Sequence, residues 1–142
     1  MLFRSDATRV TGTTITLASA ADTARDATVM RALTHGPLAP TAELWIFLGA
    51  PLDRGDLAAR LEMSERLARY FPSNAVIVRR AVFLAFDGQA TAARSLLLHA
   101  MQSFPHRCKA TVLILEQALA SDPNAIEPLL ALARHASRPD CT

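Results

Sequence analysis

From Asp53 onward, apolar residues recur at intervals of three and four between short polar breaks, a rhythm that predicts a series of helices. Over residues 56–70, Leu57, Ala58, Leu61, Leu67 and Ala68 fall on one side, and Arg60, Glu62, Glu65, Arg66 and Arg69 decorate the other. Glu62 with Arg66 and Glu65 with Arg69 are acid-first pairs four residues apart, each supporting an exposed helix by about 0.2–0.5 kcal/mol. Phe71-Pro72 ends this helix, and Asn74 is expected to cap the next. Residues 75–86 are apolar almost all round except for Arg79 and Arg80, so that helix must lie between neighbours. Asp87-Gly88 breaks the pattern. It resumes over 90–103 with Ala93, Leu96, Leu97, Ala100 and Met101, and Phe104-Pro105 stops it. A helix over 108–120 is expected to turn Val112, Leu113, Leu115 and Leu119 inward. After a turn at Asp122-Pro123-Asn124, a last helix over 125–136 tolerates Pro128 in its first turn.

Upstream the pattern is weaker. Threonine-rich residues 9–18 alternate loosely, which predicts an irregular or extended segment over 1–21. From Asp22 the spacing of Ala24, Ala27, Val29, Met30 and Leu33 predicts a helix stopped by Gly36-Pro37. Thr41 is expected to cap a short helix carrying Leu44, Trp45, Phe47 and Leu48, ended by residues 49–51. The chain therefore divides into a segment 1–21 and a single helical domain 22–142.

A repeat underlies the helices. Gly55 and Gly88 are 33 residues apart, as are Phe71-Pro72 and Phe104-Pro105, and Pro139 follows Pro105 by 34. That is the period of helix-hairpin solenoids, and it predicts an all-α fold of antiparallel hairpins stacked as a short TPR-like solenoid. Residues 75–105 resemble one tetratricopeptide repeat. Ile77, Ala81, Leu84, Gly88, Ala93, Leu97, Ala100 and Pro105 stand at its large, small, large, turn, small, large, small and stop positions. Arg80 departs from the pattern, which usually has leucine there, and Asp122 replaces the next turn glycine. Alanines at 81, 93 and 100 let two helices approach closely, while Leu84 and Leu97 fill the gaps between them.

Composition narrows the function classes. The chain has 142 residues, one domain's worth, of which 51% are hydrophobic and only 6% aromatic, with a net charge of +2. Such a balance predicts no nucleic-acid surface. The longest strongly apolar stretch, residues 44–52, contains Gly49 and Pro51 and falls well short of the roughly 20 residues a membrane span needs. No secretion signal is visible, but the opening Met1-Leu2-Phe3-Arg4-Ser5 looks like a translated sequencing adapter, which predicts that the chain is a piece of a longer protein.

Candidate chemistry is sparse. His35, His99, His106 and His135 show no pairing at ligand spacing, and no glycine elbow or phosphate-binding loop surrounds Ser95 or Ser103, so no catalytic, cofactor or metal site is assigned. Arg79 and Arg80 either meet an acidic glycan or lipid headgroup or reach to solvent along their aliphatic stems. Trp45 and Tyr70 either stack on sugar or pack between helices. Cys108 and Cys141 are two unpaired thiols or, because antiparallel packing brings the start of one helix and the end of the next together, a disulfide. In an oxidising compartment that bond would contribute on the order of 3–4 kcal/mol.

The order and spacing of Pro51-Leu-Asp-Arg-Gly-Asp-Leu-Ala-Ala-Arg-Leu61, Glu65-Arg-Leu-Ala-Arg-Tyr-Phe-Pro72, Arg80-Ala-Val-Phe-Leu-Ala-Phe-Asp-Gly-Gln89 and Ala92-Ala-Arg-Ser-Leu-Leu97 through Phe104-Pro105 resemble one family. It is the C-terminal domain of bacterial Wzy-type membrane-bound O-antigen polymerases and ligases, including the PglL-type O-oligosaccharyltransferases that glycosylate pilins. The resemblance covers roughly residues 44–134. It implies a soluble helical domain on the periplasmic face of the inner membrane, following transmembrane helices that this chain does not contain. It also implies that glycan transfer belongs to the membrane part and its loops, so no catalytic residue is carried over. The domain would dock a protein acceptor or scaffold the membrane-embedded part of the same polypeptide. A second reading, a free-standing TPR-like adaptor, calls for a polar peptide groove. Here Val78, Val82 and Phe86 occupy the groove-lining phase, which favours an apolar intramolecular neighbour.

Overall fold

The computed structural model describes residues 40–136, which form six helices: α1 (Pro40–Gly49), α2 (Leu57–Tyr70), α3 (Asn74–Phe86), α4 (Ala90–Ser103), α5 (Cys108–Leu119) and α6 (Pro123–Ala136). A 3-10 turn, Pro105–Arg107, leads into α5. No strand occurs among the described residues. The expected helix from Asp22, the threonine-rich segment, Pro139 and Cys141 lie outside them.

Local chemistry sets the helix boundaries. Asp56 caps α2 from a left-handed backbone (φ 32°), its carboxylate accepting from the Ala59 N–H. At α3 the cap is Ser73, not the expected Asn74: the Ser73 hydroxyl accepts from the Val76 N–H, and Asn74 is already the first helical residue. Asn74 is buried, and its side-chain carbonyl accepts from the Thr111 hydroxyl of α5 at 3.1 Å. Gly88 (φ 83°) turns the chain after α3, donating to the Ala85 carbonyl while the Gln89 N–H reaches the Leu84 carbonyl. Asp122 caps α6 through the Ala125 N–H and places Pro123 at the first helical position. The helix thus begins two residues earlier than expected, and Pro128 sits in its second turn on the exposed side, without an N–H for the Asn124 carbonyl.

α3 occupies the middle, packing against α2, α4, α5 and α6, with ten of its thirteen residues buried. Val78, Val82 and Phe86 are all enclosed, so the molecule's own helices fill the phase where a peptide groove would lie. Ala81, Ala93 and Ala100 have no exposed surface, consistent with the close helix approach expected of them. Phe47 of α1 meets the Phe83 ring edge-on, centroids 5.8 Å apart, joining the first helix to the core.

Two expected faces are rotated. On α5 the buried stripe is Thr111, Leu115 and Ala118, while Leu113, two residues from Thr111 and therefore across the helix, is 54% exposed. On α2 the stripe is Ala59, Arg60, Met63, Ser64 and Leu67, with Ala58 exposed. Arg60, expected on the solvent side, is wholly buried.

The bends within successive hairpins, at 50–56, 87–89 and 120–122, gather at one end. Arg54 in the first pairs with Asp122 in the third and lies 5.9 Å from the Phe86 ring centroid, beside the second. The Ser121 hydroxyl donates to the Leu52 carbonyl at 2.8 Å. Gly55 and Gly88 therefore stand in corresponding bends. In the first, however, the left-handed residue is Asp56, and the loop is longer.

Candidate functional site

The densest polar construction joins the 50–56 loop to α2 and α3. Arg60 enters from α2, with Nη1 donating to the Asp53 carboxylate at 2.7 Å and to the carbonyls of Asp53 (2.9 Å) and Pro51 (3.2 Å). Its guanidinium carbon stands 5.5 Å from the Phe83 ring centroid, a cation–π contact in a dry setting. Nε and Nη2 of Arg60 are buried without a hydrogen-bond partner. Gly55 is needed here, because a Cβ would come within 3.0 Å of the Asp53 carboxylate and 3.5 Å of Arg60 Nη2.

Arg79 and Arg80 approach the same region from α3. Arg79 Nη1 donates to the Ala50 carbonyl at 3.1 Å. Burial, and secondarily the Arg60 charge, holds the Arg79 pKa below its ordinary value. Arg80 Nη1 donates to the Leu61 carbonyl and to the Ser64 hydroxyl, both at 2.9 Å. The two side chains are half-buried, and each donates to a backbone carbonyl of a neighbouring segment. Arg80, at the position where a tetratricopeptide repeat has leucine, acts as a polar clamp on α2.

Trp45 and Tyr70 do not pack between helices. They are 73% and 59% exposed, Trp45 on the outward side of α1 and Tyr70 at the end of α2. Trp45 lies across α1 from Glu43 and Phe47, which face the rest of the molecule. Glu43 is buried and takes a two-point ion pair from Arg66 of α2, Nη2 to Oε1 at 2.7 Å and Nε to Oε2 at 3.1 Å. Arg66 thus reaches across to α1, and the expected Glu65–Arg69 pair forms along α2 at 3.6 Å with both partners exposed.

Two surface pockets are unrelated to those residues. One, about 230 Å³, lies between α4 and α6 and is bordered by Ala93, Arg94, Asn124 and Pro128. The other, about 440 Å³, lies at the far end, where Leu98, Met101, Pro105, Cys108 and Ala136 meet. Cys108 is disulfide-bonded, and Cys141 lies outside the described residues. Among the described residues no group of three or more His, Cys, Asp or Glu side chains could hold a metal. No described helix is long and apolar enough to cross a membrane.

Sequence reasoning missed Arg60, Asp53 and the Glu43–Arg66 pair. A signal for Arg60 was present: it stands three residues before Met63 and seven before Leu67, in phase with the apolar stripe despite its charge.

Comparison with curated proteins and with solved structures yields no match. A family profile does match: that of the virulence factor membrane-bound polymerase, C-terminal, over residues 2–118. The match takes in the upstream segment that the residue resemblance left out, and it ends within α5. With most of its length aligned, and its described part an all-helical stack of hairpins, the chain belongs to this family of C-terminal regions of membrane-bound polymerases.

Proposed function

We propose that the chain is a non-catalytic, TPR-like domain on the periplasmic face of an O-antigen polymerase or ligase, where it docks a protein acceptor. The family match over residues 2–118 carries this reading. The placement of the aromatic residues supports it: Trp45 and Tyr70 offer large rigid surfaces at low entropic cost on a side the stack leaves open. The buried Val78, Val82 and Phe86 weigh against a free-standing adaptor with a peptide groove. The domain as a whole corresponds to residues 22–142, with 1–21 a separate segment.

The test uses the full-length polymerase in membranes, with Trp45→Ala and Tyr70→Ala combined. Glycan transfer to the acceptor should fall about tenfold through KM, equivalent to about 1.4 kcal/mol of docking energy. Thermal stability of the domain should hold, because exposed positions away from the core rarely cost more than about 0.5 kcal/mol. Unchanged transfer with unchanged KM would remove the docking role. An upstream reading frame encoding a complete protein without transmembrane segments would remove the membrane-enzyme assignment.

A further inference from the structure

We infer that the end of the stack opposite the gathered bends is a cationic face that rests on the acidic phospholipid headgroups of a membrane. Charge separates along the helix axes. The bends at one end carry Asp53, Asp56, Asp87 and Asp122 against Arg54 alone. The opposite end carries Arg69 in the last turn of α2, Arg107 in the 3-10 turn before α5, Lys109 in the first turn of α5 and Arg134 in the last turn of α6, all exposed. Among the described residues the one carboxylate at that end is Glu43 of α1, which is buried and paired with Arg66.

Two of these cations serve the fold and two do not. Arg69 and Arg134 stand at helix C-termini, where the helix dipole stabilises positive charge, and each reaches a carboxylate further up the stack, Glu65 at 3.6 Å and Glu116 at 2.6 Å. Arg107 and Lys109 stand at the N-terminus of α5, where the dipole disfavours a cation. Neither forms an ion pair among the described residues, and α5 has no acidic residue in its first turn and no side-chain cap. The fold gains nothing electrostatic from this pair, whereas an anionic partner outside the molecule compensates both charges.

The partner that matches is a lipid surface. The four cations spread from the first hairpin to the last instead of converging on one concave site, so they suit a broad anionic plane better than a single small anion. The family's polymerases are membrane-bound, which puts such a plane within reach. Each Lys or Arg beside an acidic bilayer strengthens binding about fivefold. The aspartates of the bends are repelled by the same headgroups, so the stack stands on its cationic end with the bends turned away. The inference rests on the membrane attachment of the family and is independent of acceptor docking.

The experiment sediments the full chain with sucrose-loaded vesicles. Vesicles of two parts phosphatidylcholine to one part phosphatidylglycerol should carry the chain down, pure phosphatidylcholine vesicles should not, and added sodium chloride should release it. Arg107→Gln and Lys109→Gln should each weaken binding to the acidic vesicles about fivefold, and together about 25-fold. Arg94→Gln, which removes an exposed cation on the bend side of α4, should leave binding unchanged. Thermal unfolding is the second readout: the Arg107→Gln/Lys109→Gln variant should melt at or slightly above the native midpoint, because the α5 dipole disfavours the charges removed. No binding to acidic vesicles, equal binding to phosphatidylcholine, an equal loss with Arg94→Gln, or a lowered midpoint in the double variant would overturn the lipid face. Release by inorganic phosphate where chloride of the same ionic strength does not release would also overturn it, in favour of a discrete anion site. Vesicle binding lost with acceptor transfer intact refutes the lipid face alone, whereas vesicle binding confirmed with no effect of Trp45 or Tyr70 on transfer refutes the docking role alone.

Discussion

A single guanidinium holds the corner between α1, α2 and α3. Arg60 is enclosed by Phe83, the Asp53 carboxylate and two loop carbonyls, and two of its nitrogens find no acceptor. An incompletely satisfied buried charge is weak evidence of stability but strong evidence of interdependence. Arg60→Ala should cost about 3 kcal/mol in urea unfolding, at the low end for breaking a buried pair because Asp53 stays one-third exposed and can be solvated. Arg60→Met with Asp53→Asn should recover most of that loss, since an apolar side chain of similar length fills the space without an unpaired charge. If the double change is as damaging as Arg60→Ala, the role assigned to charge pairing is wrong. Counting charged residues as outward hid this site. The helical phase of residues 60, 63 and 67 made the position of Arg60 legible, but its partners on a loop and on α3 depend on tertiary packing that no local spacing records.

The elements show the same division. The α4 boundaries, the stops at Phe71-Pro72 and Phe104-Pro105, and the central, fully wrapped α3 are all legible from apolar phase and from glycine and proline positions. The inward face of α5 was not: Val112, Leu113, Leu115 and Leu119 suggest one orientation, yet Thr111 and Ala118 line the buried stripe because Thr111 bonds Asn74 and Ala118 allows close approach. Boundaries also moved where a cap competed, as Ser73 outcompetes Asn74 and Asp122 draws α6 back to Pro123. Two outcomes belong to this scale. Gly88→Ala should lower stability by about 1–2 kcal/mol from backbone strain alone, because φ is 83° and nothing crowds the added methyl. Pro128→Ala should raise stability by about 1 kcal/mol, restoring a donor to the Asn124 carbonyl, less the extra freedom gained by the unfolded chain. Chemical denaturation of each variant measures both, and opposite signs would show that the backbone readings are mistaken.

For the whole molecule, α6 matters more than the family match indicates, because that match ends at residue 118 whereas Ile126, Leu129, Leu130 and Ala133 are buried against α3, α4 and α5. A chain ended at Leu119 should therefore expose the far side of α3 and lose cooperative unfolding, measured by calorimetry and dye binding. A sharp transition at the native midpoint would show the core to be complete without it. Six alternating helices also mean that residue 40 and residue 136 lie at the same end, opposite the gathered bends. An epitope tag spliced into the Asp87–Gln89 corner would therefore stand about 20 Å from residues 40 and 136, the length of one helix. That corner is where an antibody or fluorescent reporter can be placed without crowding the end at which the described helices begin and finish.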